Sequence, residues 1–534
     1  MKKIFTFLVA VLSVAVILVP QVSAKSAKDV QPANKGRILF VPHDNRPISD
    51  EQTAEVVEKL GYDVMVPPDK ILGGRDDLGH ADLLWKWVDD NIANVDAAVI
   101  SSDSMLYGSL VGSRKHQVAE EKVLSRAAKF EALRRAHPKL RLYVFSSIMR
   151  TPRSAEASGS EEPDYYQKYG SDIFRYTALS DKKETDKLTK REQKEFAFLQ
   201  QLIPKDAIDD WMSRRSKNFK ANKTLIDQVR KGTFNYFILG RDDNAPYSQT
   251  HKESRELLTY GKGLPQTKFQ SMAGIDEIGL LLLARAVNDV ERKMPFVFVR
   301  YNWGRGPNTV PSYSDERLGD SIRAAVVAAG GMLVDAPEKA EFVLAVNTNP
   351  NGVTGEANNR DNDGTPRDGT GYFADIVSEY VAAGYPVGIA DVAFANGADN
   401  ALMEQLKQRN LLFKLRAYAG WNTATNSTGF VLGEGILANR MTDDARDQLL
   451  LRRYLDDWAY QSNVRTIIGR QLGWLRGSGA YASLDDKTVG IEARADRMIN
   501  DFALENLPPM NELTNIKVTF PWNRMFEARI TTGK

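Results

Sequence analysis

The chain has 534 residues, more than one ordinary core accommodates, and its 43% hydrophobic and 26% charged content is that of a globular protein. Its 71 basic and 69 acidic residues leave a net charge of +2, without the basic excess that a nucleic-acid partner normally requires. With no cysteine there can be no disulfide, thiolate zinc site or cysteine nucleophile, and none of the five histidines pair at metal-ligand helical spacing.

Residues 1–24 read as an export signal: Lys2 and Lys3, an apolar run from Ile4 to Val19, and the small-residue site Val22-Ser23-Ala24. No other apolar stretch approaches membrane length, so a secreted bacterial protein without stable membrane insertion is expected. Residues 25–35 form a polar linker. Short apolar runs then alternate with amphipathic stretches. Strands are predicted at Arg37–Pro42, Tyr62–Pro67, Ala97–Ser101 and Leu142–Ser146, with helices near Asp50–Leu60, Ala81–Ile92 and Ala119–Ala136 between them. Residues 151–230 interrupt the pattern as a charge-rich helical insertion, read as solvated helix faces without chemistry. Strands resume at Tyr236–Leu239, Phe269–Met272, Phe296–Arg300, Met332–Val334, Phe342–Val346, Val387–Ala390 and Leu415–Tyr418, with a very apolar helix at Ile278–Val287. Helices follow at Ala445–Trp458 and Ile491–Leu504, and the terminal run Ile516–Trp522 reads as a packing strand.

Continuous apolar strands separated by helices predict an α/β fold whose parallel sheets are covered on both faces. An internal echo sharpens this. Leu60-Gly61-Tyr62-Asp63-Val64 leads to Val95–Ile100, and Ala329-Gly330-Gly331-Met332-Leu333-Val334 leads to Ala340–Val346. Two parallel-sheet α/β lobes explain the echo: residues 36–290, carrying the insertion, and 291–440, followed by a helical C-terminal region with a terminal strand at 441–534. An elaborated (β/α)8-type barrel is the alternative, although about eleven strands overfill one barrel.

Ligands in such folds gather at the carboxyl ends of strands, and there this sequence is unusually polar. Asp242 and Asp243 follow the apolar run Tyr236–Leu239; Asp103 follows Ala97–Ser101; Asp276 and Glu277 follow Phe269–Met272. These five are the candidate catalytic carboxyls, because acid/base hydrolysis needs two carboxyl groups whose environments drive their pKa values apart. Adjacent residues at a strand end point to opposite sides, so one of Asp242 and Asp243 is expected to face a cleft while the other orients it. Substrate-binding candidates are Asp44, Asn45 and Arg46, then Arg150, and in the second half Tyr301, Asn302, Asn347, Asp391, Asn396, Trp421 and Asn422. Planar amides suit pairs of hydroxyls, and ring faces suit apolar C–H surfaces, so the ligand expected is a small molecule or an oligosaccharide. A phosphate loop, a dinucleotide fingerprint and a Gly-x-Ser-x-Gly elbow are all missing, so no cofactor is expected, and without cysteine or paired histidines no resident metal is expected either.

The phrases Pro42-His43-Asp44-Asn45-Arg46-Pro47, Ser102-Asp103-Ser104-Met105, Gly240-Arg241-Asp242-Asp243-Asn244 and Gly420-Trp421-Asn422-Thr423 resemble a bacterial family defined as domain of unknown function 4127. The resemblance spans nearly all the chain beyond the signal and implies no activity. The functional expectation therefore rests on the residues: a secreted glycoside hydrolase acting on a cell-wall or environmental sugar, N-acetylated sugars included, by carboxylate acid/base catalysis. The alternatives are an exported two-lobe protein that binds a sugar or peptide, and a hydrolase whose metal is held by Asp44, Asp103, Asp242 and Asp391.

Overall fold

The apolar runs of the first half become β1 (Arg37–Val41), β2 (Asp63–Met65), β3 (Ala97–Ser101), β4 (Arg141–Ile148), β5 (Tyr236–Arg241) and β6 (Phe269–Ala273) in the computed structural model, which describes residues 34–153, 161–473, 483–509 and 513–533. The export signal and most of the linker lie outside the described residues. The six strands pair in parallel in the order β2-β1-β3-β4-β5-β6. In the second half, β7 (Phe296–Tyr301), β8 (Met332–Leu333) and β9 (Phe342–Asn347) precede a short strand, β10 (Gly355–Glu356). They are followed by β11 (Val387–Asp391), a second short strand, β12 (Phe394–Ala395), and β13 (Ala417–Ala419). The long strands pair in the order β13-β11-β9-β7-β8, and β10 pairs with β12 between two loops. Both sheets thus place their strands in one succession: second, first, third, fourth, fifth. The echo seen in the sequence falls on the second and third strands of each.

Side-chain alternation along the strands explains the layering. On the first sheet, Ile38, Phe40, Val99, Tyr143 and Ile238 face one cluster, and Leu39, Val41, Ala98, Val144 and Leu239 face another. The first of these clusters does not stop at the sheet. It continues through Leu280–Leu283 of the helix Ile278–Glu291 and Val431 and Leu432 of the helix Ala424–Ala438, reaching Phe342, Leu344 and Val346 on β9. The two sheets therefore share one helical layer and one core, in which each buried leucine contributes about 1.5–3 kcal/mol relative to exposure. Every residue of Ala424–Ala438 is buried. A Cβ on its Gly435 would lie 2.1 Å from the Phe342 ring, so Gly435→Ala must displace that ring. Urea denaturation of this variant should show a loss of about 1–3 kcal/mol by overpacking.

Among the described residues, the insertion forms the helices Asp164–Thr185, Lys190–Leu202 and Lys205–Arg230. Near the C-terminus, helical structure is continuous from Asp443 to Leu472 and returns at Thr488–Asn506. The tail forms an antiparallel ribbon of β14 (Thr514–Thr519) and β15 (Arg529–Gly533), packed through Ile516, Val518 and Phe520. Among the described residues, no helix is long and apolar enough to cross a membrane.

Candidate active site

A cavity of about 120 Å³ opens where the loops leaving β1, β4, β5 and β6 meet loops after β12 and β13 and the connection between β14 and β15. The topology dictates this placement: in open parallel sheets the strand carboxyl ends turn their loops toward one edge. Arg46, Arg150, Asp242, Asp243, Asp276, Asn396 and Asn422 line the cavity, seven of the residues singled out from sequence.

On one wall Asp276 is held by a buried basic pair. Arg46 Nη2 donates to its Oδ1 at 2.6 Å and His43 Nε2 lies 3.1 Å from the same oxygen. Arg46 also donates through Nε to Asp44 Oδ2 at 2.9 Å, which fixes the guanidinium plane. Asn426 Nδ2 and Asn422 Nδ2 donate to Asp276 Oδ2 at 3.2 and 3.4 Å. Burial opposes ionisation of Asp276, yet Arg46 and His43 outweigh it and hold the carboxyl well below the usual range. Asp276 does not cap the helix that follows; its side chain is spent on this pair.

Facing it is a denser network. Arg114, on the helix Leu110–Lys115, donates to Asp242 at 2.5 Å and to Glu161 at 2.6 Å. Arg150 pairs with Asp243 at 3.1 Å and with Glu162 at 2.7 Å, and Arg524 donates to Glu161 at 2.5 Å. Both aspartates after β5 line the cavity, contrary to the expected opposition of neighbours. The reason is backbone: Asp243 sits at φ 33°, a left-handed turn that breaks the strand alternation. Its side chain keeps 32% exposure, against 8% for Asp242 and 6% for Asp276. Burial, then the charge of Asp242, push Asp243 up to about 6 against the pull of Arg150 and Arg114. Neither aspartate caps the next helix, Gln249–Tyr260; Ser248 does, steadied by Asn244.

Two further polar groups beside the cavity are left unsatisfied. Among the described residues, Asn396 Oδ1 and Asn426 Oδ1 are buried without a hydrogen-bond partner, and both residues line the cavity. Such atoms cost about 1–3 kcal/mol unless something donates to them.

The other sequence candidates lie elsewhere. Asp44 stands behind Arg46, and Asn45 accepts from Trp522 Nε1 at 2.8 Å. Asp103 is buried behind the wall, accepting the Ser147 N–H at 2.9 Å, and burial raises it to about 6. Glu277 is wholly buried in a slot left by Gly274 and Gly429, where added Cβ atoms would meet it at 2.1 and 2.4 Å. Neither of its oxygens finds a partner among the described residues, and burial raises it well above the ordinary range. Trp421 is buried against Phe526, and Tyr301 packs at the margin of the shared core. Asn302, Asn347 and Asp391 form a separate cluster at the carboxyl end of the second sheet. Asn302 Nδ2 donates to Asn347 Oδ1 at 3.0 Å, and Asn347 Nδ2 bridges Asp391 and Asp399 at 2.9 and 3.1 Å. The four aspartates expected for a metal site are thus divided between two places, and among the described residues no three His, Asp or Glu side chains are grouped to share an ion.

Sequence reasoning passed over Arg114, Glu161, Tyr313, Asn426, Arg524 and Phe526, all of which line the cavity. The tail read as packing alone also delivers Arg524, whose guanidinium and that of Arg46 lie 5.0 and 5.3 Å from the Trp522 ring. The signal available was Trp522-Asn523-Arg524-Met525-Phe526, an aromatic and basic run beyond a strand.

The family model described as protein of unknown function (DUF4127) matches residues 38–531. No curated protein and no solved structure matches the chain.

Proposed function

Since the chain belongs to the protein family of unknown function DUF4127, whose description assigns no chemistry, we propose from the site alone that the protein is a glycoside hydrolase. Its substrate would be a cell-wall or environmental sugar, N-acetylated sugars included, met outside the cell after export through residues 1–24. One observation carries the reading: two carboxyls of opposite habit, Asp243 near 6 and Asp276 held ionised, line the same small cavity. Carboxyls whose surroundings drive their pKa values apart are the mark of an acid and its counterpart. Asp243, the more exposed, is the proton donor to the leaving oxygen. Asp276 is the carboxylate that stabilises positive charge developing on the sugar ring or activates its attacker. The charge of Asp242, added to burial, favours the protonated form of the donor.

A binding protein closing by a hinge fits less well, because one helical layer joins both sheets in a common core. The test is direct. The purified protein, offered a panel of chromogenic neutral and N-acetylated glycosides from acid to neutral pH, should release chromophore from at least one. Turnover of none would remove the proposal.

A further inference from the structure

Two large rings stand in solvent at the outer side of the second sheet. Trp303, just past β7, is 60% exposed; Tyr372, in the helix Asp368–Ala382, is 41% exposed; their ring centres lie 5.1 Å apart. Neither belongs to a core cluster. A pair of interlocked loops connects them to the cavity. Gly304 abuts Pro350 so closely that a Cβ would meet its carbonyl oxygen at 2.2 Å. The Ser312 N–H donates to Thr354 Oγ1 at 3.4 Å, and the Tyr313 hydroxyl donates to Glu356 at 3.0 Å. Glu356 in turn accepts from Asn396 Nδ2 at 2.8 Å, and Tyr313 and Asn396 both line the cavity. Pro350 and Glu356 are six residues apart, so the rings' loop and the cavity rim are separated by at most ~20 Å of chain. Along that path Val353 is 65% exposed, beside the uncharged Asn349, Asn351 and Thr354.

We propose that this strip is a distal binding surface for a polysaccharide, whose end enters the cavity while a more remote sugar stacks on Trp303 and Tyr372. The inference rests on the glycoside-hydrolase reading and deepens it to a polymeric substrate. A cavity of about 120 Å³ is small against the ~300–1,000 Å³ of ordinary ligand clefts, so it admits little beyond a chain end and the rest must lie outside. An exposed pair of rings flanked by amides and hydroxyls suits alternating C–H and O–H surfaces. A protein partner would more commonly meet a contiguous apolar patch.

The experiment measures retention of the full-length protein on insoluble chitin, cellulose, xylan and purified peptidoglycan, alongside turnover of whichever small chromogenic glycoside the wild type accepts. Wild type should be retained on at least one polymer. Trp303→Ala, and independently Tyr372→Ala on its separate helix, should weaken retention about tenfold, as truncation of an aromatic anchor does, with small-glycoside turnover unchanged. Wild type retained on no polymer, or both variants retained like wild type, overturns the surface. Retention that depends on these rings in a protein that hydrolyses nothing would leave the surface standing and remove the hydrolase reading instead.

Discussion

Asp243→Asn should lower kcat by ~10²–10⁴-fold on any glycoside the wild type accepts, the usual contribution of a positioned general acid. The amide fills the same space and can still take a hydrogen bond from Arg150, but it has no proton to give to a leaving oxygen. The pH dependence makes the assignment specific. Burial and the Asp242 charge set Asp243 at about 6, and only its protonated form can act as the acid. Wild-type kcat/KM should therefore be sustained on the acid side and fall as pH rises through about 6. Asp276, held ionised by Arg46 and His43, imposes no loss until far lower pH. In Asp243→Asn the residual rate should lose the alkaline fall, whereas Asp276→Asn should lower the rate and keep it. The fold should survive, since Arg150 retains Glu161 and Glu162. Wild-type turnover with an intact alkaline fall in Asp243→Asn would dismiss this residue as the donor.

Sequence and structure agree where local pattern governs and part where distant chain decides. The strands were legible because a buried parallel strand is a continuous apolar run, and the tail of each run marks its loop. The loops of Arg46, Arg150, Asp242 and Asp276 could be placed on one edge for that reason alone. Which side a loop residue faces was not legible. Asp103 and Glu277 follow their strands as closely as Asp242 and Asp276 do, yet turn into the interior. Asp243 reaches the cavity only through a left-handed backbone turn. The second sheet repeats the pattern with Asn302, Asn347 and Asp391, but there the polar tips satisfy one another instead of a cavity. Arg114, Glu161 and Arg524 were illegible for a different reason. They meet across separations such as the 363 positions between Glu161 and Arg524, and no helical or strand period encodes such a meeting.

That meeting sets the second large effect. Glu161 is one carboxylate shared by three guanidiniums: Arg114 at 2.6 Å, Arg524 at 2.5 Å and Arg150 at 3.2 Å. Glu161→Gln keeps the shape and removes the charge, leaving three buried cations with one anion fewer. Breaking a buried pair from one side costs about 3–5 kcal/mol. The lower figure, about 3 kcal/mol, is expected here, since Arg114 keeps Asp242, Arg150 keeps Glu162 and Arg524 keeps Glu527. Burial alone would raise the Glu161 carboxyl, but Arg524, Arg150 and Arg114 together hold it well below its ordinary range. A carboxyl depressed in the folded state stabilises fully above its unfolded pKa and loses that contribution as pH falls through the folded value. The gap between wild type and Glu161→Gln, read from urea midpoints, should hold at neutral pH and narrow only in strong acid. Because Arg524 comes from the tail and Arg150 also holds the proposed donor, the loosened network should reduce turnover in the same variant. A neutral-pH gap within about 0.5 kcal/mol, the ordinary range for surface substitutions, would mean that the three cations do not depend on this carboxylate.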